Sequence, residues 1–133
     1  MTAQRPTIAA SGSATVADVM HPQSAPLPVT ATVADVSDWF ARSASRRLAL
    51  IADGAGRYMG SLTRADLAGG EDPNRPAVEV ACYEPTVGPG ETALAGRDRV
   101  LETPARRVPV IDDEGQLVGV LAVTTDEQAF ACR

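Results

Sequence analysis

The chain contains no lysine; all 12 of its basic residues are arginine. Among 133 residues it has one histidine and two cysteines, and aromatic side chains make up only 4%. Each scarcity excludes something. His21 has neither a second histidine nor a paired cysteine to join it, so no metal or catalytic role is expected of it. Cys82 and Cys132 cannot close a structural zinc site between them. They set a reduced, cytoplasmic setting as the expectation, with Cys82 read as a buried, inert thiol. With few aromatics, the core must be built from Val, Leu, Ala and Ile. The 17 acidic residues outnumber the basic ones and leave a net charge of −5. That balance lacks the basic footprint of a nucleic-acid binder. No apolar run is long enough to span a bilayer, and Ile8 to Ala14 is too short and polar for a signal peptide. No Gly-x-Ser-x-Gly, phosphate-loop or HExxH pattern occurs, and no nucleophile–base pair assembles, so an enzyme is not expected.

What is present is a near-repetition. Arg46-Arg47-Leu48-Ala49-Leu50-Ile51-Ala52-Asp53 returns as Arg106-Arg107-Val108-Pro109-Val110-Ile111-Asp112-Asp113, an offset of 60 from Arg46 to Arg106. The same offset pairs Leu27 with Val87 and Thr32 with Thr92. Beyond the next turn the offset is 59, pairing Gly56 with Gly115 and Gly60 with Gly119. Two copies of such a unit predict a duplicated fold with a pseudo-twofold axis and a ligand cleft between the halves. Hydrophobic content of 44% is that of a globular chain.

Punctuation residues divide the sequence into residues 1–13 as a disordered tail, 14–70 as the first repeat, 71–76 as a linker and 77–133 as the second. The first repeat reads as a helical turn at Thr15 to Met20 and a strand at Leu27 to Thr30. A helix follows, capped by Thr32, with Val33, Val36 and Phe40 on one face. Trp39 and Phe40 are core or dimer-interface residues on this reading. Strands follow at Arg47 to Ala52 and Tyr58 to Leu62, around a turn at Asp53 to Gly56, and Thr63 opens a second helix. The second repeat returns a turn at Ala77 to Cys82, a strand at Thr86 to Gly88, and a helix from Thr92 that Gly96 weakens. Strands at Val108 to Ile111 and Leu117 to Leu121 and a helix from Thr125 to Ala131 complete it. Each half is β-α-β-β-α, giving an α/β (α+β) fold of two repeats in one module.

This order resembles the CBS domain, and the pair resembles a tandem CBS pair, or Bateman module, over residues 15–131. Arg107-Val108-Pro109-Val110-Ile111-Asp112 and Gly115-Gln116-Leu117-Val118-Gly119-Val120-Leu121 carry the strand signature. Gly60-Ser61-Leu62-Thr63-Arg64-Ala65-Asp66 carries the ligand signature. The resemblance implies a stand-alone, non-catalytic regulatory module that binds AMP, ADP, ATP or S-adenosylmethionine between the repeats and requires no cofactor. It also implies a homodimer that acts on another protein; from the charge and the lack of a long apolar run, no nucleic-acid or membrane partner is expected. The alternative is a degenerate pair, serving dimerisation or protein interaction without a ligand.

By that resemblance Thr63 and Asp66 line the nucleotide site. A carboxylate at Asp66 could accept from ribose hydroxyls, Thr63 could bind a hydroxyl or phosphate oxygen, and Gly60 would let the backbone come close. Thr63-x-x-Asp66 is equally close to a capping box, which needs no ligand. In the second repeat Ala122 stands where Thr63 does and Thr125 where Asp66 does, while Asp126 is one position, about 100° of helix, too late. One good site is therefore expected rather than two. Arg47 and Arg107 are the phosphate candidates, since guanidinium forks suit phosphate; arginines flanking a buried strand also simply reach solvent. Pro109 is an apolar candidate for flanking an adenine ring, or else strand packing.

Overall fold

The computed structural model describes residues 14–22 and 25–123. The expected N-terminal tail, the last helix at Thr125 to Ala131, Asp126 and Cys132 all lie outside them. The elements run α1 (Val16–Val19), β1 (Leu27–Pro28), α2 (Val33–Ala41), β2 (Ala49–Ala52), β3 (Tyr58–Leu62) and α3 (Arg64–Leu67). A 3₁₀ turn at Ala77–Glu79 precedes α4 (Ala93–Leu101), β4 (Arg107–Ile111) and β5 (Leu117–Ala122). This is a mixed α/β architecture built from two repeats.

Threonine precedes each of the four α-helices among the described residues, as a residue whose hydroxyl can serve backbone N–H groups that the first turn leaves without partners. Thr32 accepts from the N–H of Asp35 at 3.2 Å, and Asp35 Oδ2 accepts from the N–H of Thr32 at 2.9 Å. Asp18 Oδ2 likewise accepts from the N–H and hydroxyl of Thr15 at 2.9 and 3.1 Å. Those bonds, the backbone one first, hold the Asp18 carboxyl below its ordinary range. Thr92 accepts from the N–H of Ala95 at 3.1 Å, with alanine where the other helices carry aspartate.

β2 lies between β1, parallel to it, and β3, antiparallel to it. All four of its residues are buried, as befits a central strand. β4 and β5 form an antiparallel pair. The strand expected at Thr86 to Gly88 reduces to a single bridge from Val87 to Val110. Its ladder ends because the N–H of Gly88 is taken by Glu91 Oε2 at 2.6 Å and Pro89 has no N–H. The strand expected from Arg47 starts at Ala49.

The ladders also correct the repeat register. Ala49 pairs with Leu62, and Val108 with Leu121, so the offset is already 59 within the strands. Asp112, not Asp113, matches Asp53: Asp53 Oδ1 accepts from the N–H groups of Ala55 and Arg57, and Asp112 Oδ1 from those of Glu114 and Gln116. In the strand frame Arg106 therefore corresponds to Arg47, and Arg107 to Leu48. The lost residue lies between helix and strand. There the shorter connection closes with Arg106 in the left-handed region at φ 57°, the one non-glycine residue so placed among those described.

The chain forms two compact units that do not coincide with the sequence repeats. Ala25–Glu84 is one, with a core of Val36, Phe40, Ala49, Ile51, Leu62 and Ala77. Ala77 comes from the second repeat, as does Cys82, whose backbone pairs with that of Ser61 through two bonds of 2.9 Å. The stretch read as a linker serves α2: Arg75 and Pro73 carbonyls accept from the first N–H groups of that helix, Val33 and Ala34. The other unit joins residues 14–22 to residues 85–123 around a valine-rich core of Val16, Val19, Val87, Val100, Val108, Val110 and Leu121. Here Val16 and Ala17 donate to the carbonyls of Glu91 and Pro89, and His21 pairs with Val120 at 2.8 and 3.0 Å.

Candidate functional site

The glycine-led motif lies where β3 passes into α3, within the unit Ala25–Glu84. Gly60 has φ +142°, a conformation that side chains rarely adopt. A Cβ built there would stand 2.9 Å from the Ala81 Cβ and 3.5 Å from the Cys82 carbonyl oxygen. Its small size thus lets the Ala81–Cys82 segment cross β3. Gly119 plays the same part beside Met20 and His21, whose carbonyl would lie 2.6 Å from an added Cβ. Close approach of backbone to backbone accounts for both glycines before any ligand is considered.

Thr63 and Asp66 hold each other. Asp66 Oδ2 accepts from the N–H of Thr63 at 2.7 Å and from its hydroxyl at 3.1 Å. Thr63 Oγ1 accepts in return from the N–H of Asp66 at 3.4 Å. The capping box is therefore real, and it matches the Thr15–Asp18 and Thr32–Asp35 pairs. Asp66 differs from Asp18 and Asp35 in being half-buried where they are exposed; as in those pairs, only Oδ2 is bonded, and Oδ1 has no hydrogen-bond partner among the described residues. Thr63 and Asp66 thus present one open carboxylate oxygen beside a threonine. In the second repeat Ala122, 6% exposed at the end of β5, occupies the position of Thr63 and offers no hydroxyl.

The arginines divide by role. Arg46 donates Nη1 to the Trp39 carbonyl at 2.6 Å, with its guanidinium carbon 4.5 Å from the Trp39 ring centroid. Arg64 donates Nη2 to the carbonyls of Phe40 and Ser43, both at 2.9 Å. These two cations end α2, whose last turn carries no basic residue of its own. Sequence reasoning missed that role, because it joins positions far apart in the chain. Arg47 is exposed, just ahead of β2, and has no side-chain partner among the described residues. Arg107 is the half-buried first residue of β4, in the other unit. Pro109, in the middle of β4, is less than 2% exposed. Gly60, Thr63, Asp66 and Arg47 thus share one unit, and Arg107 and Pro109 belong to the other.

Cys82 departs from expectation: it is exposed rather than buried. Its backbone is fixed by Ser61, and the buried neighbour is Tyr58, whose hydroxyl donates to the Tyr83 carbonyl at 3.0 Å. Burial pushes the Tyr58 phenol up to about 12. The Tyr58 and Tyr83 rings lie 4.8 Å apart, and Tyr83 remains 48% exposed. No group of three or more metal-ligating side chains comes together among the described residues, and no helix there is long and apolar enough to cross a membrane.

No curated protein matches the sequence. Among solved structures, the cystathionine beta-synthase pair domain of a Shewanella oneidensis MR-1 protein superposes with a TM-score of 0.72 at 24% identity. It covers 81% of this chain, which spans 64% of that one. CBSX2 of Arabidopsis thaliana, solved in complex with AMP, gives 0.69 at 21% identity, covering 81% of this chain and 89% of its own. The cytosolic domain of the Mg2+ channel MgtE, in complex with ATP, gives 0.66 at 24%, covering 89% and 49%. At these identities the likeness is one of fold. The CBS domain model matches residues 16–70 and again 76–124, which is most of the chain. With two successive matches on two repeats of one architecture, the chain belongs to the CBS domain family and carries its domain as a tandem pair.

Proposed function

We propose that this chain is a regulatory module that binds an adenosine-containing small molecule, AMP, ADP, ATP or S-adenosylmethionine, and acts on a partner protein. The observation that carries the reading is the half-buried Asp66, with Oδ2 committed to the helix start and Oδ1 open, in a tandem CBS pair. An open carboxylate oxygen suits ribose hydroxyls, which donate to it. Fold neighbours solved with AMP and with ATP support the ligand class. Thr63 and Gly60 complete the proposed contact, and Arg47 and Arg107 are the proposed phosphate donors. Pro109 has no comparable support, being buried in its strand. The reading includes a homodimer in the cytoplasm.

A second reading has its own observation. The Thr-x-x-Asp pair recurs as a plain helix cap at Thr15 and Thr32, so a CBS pair that serves protein interaction without a ligand would carry it too. Thermal unfolding with AMP, ADP, ATP and S-adenosylmethionine separates the two. A ligand at a hundred times its Kd stabilises by about 2.7 kcal/mol, and the sensor reading expects a dose-dependent rise with one of the four. Asp66→Ala is expected to remove that rise, and Asp35→Ala to preserve it. A rise that survives in Asp66→Ala overturns the role of Asp66. No rise with any of the four favours the interaction module.

A further inference from the structure

The two repeats finish their long helices differently. At the end of α4 the repair is local: Thr103 Oγ1 donates to the Val100 carbonyl at 2.8 Å. The matching carbonyl of α2, that of Phe40, instead receives Arg64 Nη2 from 24 residues further on. The same nitrogen donates to the Ser43 carbonyl, and Nε to the Arg46 carbonyl at 3.3 Å. The Arg64 guanidinium carbon lies 4.9 Å from the Phe40 ring centroid. The Phe40 ring meets that of Trp39 edge-on at 5.0 Å, and Arg46 covers Trp39. In strand register Val123 stands where Arg64 does, and it has no donor to offer. The long-range clamp on α2 belongs to the half that also carries Thr63 and Asp66.

We propose that Arg64 is a positioning residue that transmits the state of the Thr63–Asp66 pair to the C-terminal end of α2, where Trp39 reports it; this rests on the adenosine-ligand reading above. Arg64 is the first residue of α3, directly after Thr63. A ligand hydroxyl that donates to the open Oδ1 pulls on the same carboxylate whose Oδ2 fixes this first turn, and any rotation of the turn swings the Arg64 side chain. That side chain spans three carbonyls with one rigid fork, so it moves them or releases them. An ammonium has three donors but on one nitrogen at the end of a flexible stem, so it cannot reproduce the fixed spacing of Nε and Nη2. Small displacements at the motif thereby become a change in how α2 ends.

Trp39 is the single tryptophan, so its emission is readable in the intact protein. Wild-type protein titrated with AMP and with ATP is expected to change Trp39 emission in step with binding measured by calorimetry. Arg64→Gln is expected to bind the nucleotide but lose the emission change at saturation by at least about fivefold. Arg64→Lys, which keeps the charge, serves if the glutamine variant fails to fold, and is also expected to lose it. An undiminished change in either variant, or binding by wild type with silent Trp39, overturns the proposal while leaving the adenosine reading intact. If neither nucleotide binds wild type, and neither ADP nor S-adenosylmethionine does, the adenosine reading fails by itself. Coupling is then decided without ligand, by the Asp66→Asn and Arg64→Gln double-mutant cycle on Trp39 emission: non-additive effects support it and additive effects overturn it.

Discussion

Helix propensity and packing disagree at Gly96, and packing wins. Glycine inside a helix costs about 1 kcal/mol relative to alanine, so Gly96 looks like a defect in α4. A Cβ there would stand 2.6 Å from Leu121 and 2.9 Å from Val16, both fully buried. Gly96→Ala is therefore expected to destabilise by about 1–3 kcal/mol, the range for overpacking, despite the gain in propensity. Denaturant unfolding with an unchanged slope checks it. Tyr58 supplies a second test at this scale. Its phenol is raised from 10.0 to about 12 by burial, so the folded state holds the proton more tightly than the unfolded chain. The resulting stability is fully present below pH 10 and is lost as pH rises from there through 12. The loss is on the order of 2 kcal/mol, and Tyr58→Phe is expected to abolish that dependence in alkaline titrations of stability.

Helix starts dominate at the scale of elements. Three Thr-x-x-Asp pairs share the bond from the threonine N–H to the aspartate Oδ2, so Asp35→Ala and Asp66→Ala are each expected to cost about 1 kcal/mol as caps. Equal costs with unequal ligand response would separate capping from binding at Asp66. Helix ends, by contrast, were not legible. The spacing of Thr32, Val33, Val36 and Phe40 is local and announces α2, whereas Arg46 and Arg64 reach its last carbonyls only after the chain has turned back. The hairpin turns were legible in outline, since Asp53 and Gly56 recur as Asp112 and Gly115. Their register was not, because the arginine pairs at 46–47 and 106–107 match fully at an offset of 60, whereas the strands are paired at 59, which leaves only Arg47 against Arg106.

For the whole molecule, the consequence is that neither repeat contains all of its own core. Val16 and Val19 complete the core of residues 85–123, and Ala77 that of Ala25–Glu84. Val16→Ala is expected to cost about 2 kcal/mol, in the range for large-to-small changes at a buried site. A chain shortened to begin at residue 25 also loses the pairing of His21 with Val120 and the donors of Val16 and Ala17. Calorimetry is expected to show the unit of residues 85–123 unfolding at a lower temperature, although the second repeat itself is untouched.

The duplication, the turn chemistry, the helix starts and the candidate motif Gly60 to Asp66 are local or periodic properties, and the sequence by itself determined them. The tertiary structure decided what depends on distant chain meeting: which turn packs in which unit, why Gly60, Gly96 and Gly119 tolerate no side chain, and why Pro109 is buried. It also decided that Arg46 and Arg64 serve the end of α2 while Arg47 stays exposed. The physical reason is that a hydroxyl or carboxylate caps a helix within its own first turn, whereas close packing and guanidinium bonds to helix-end carbonyls require atoms that only the folded backbone brings within reach.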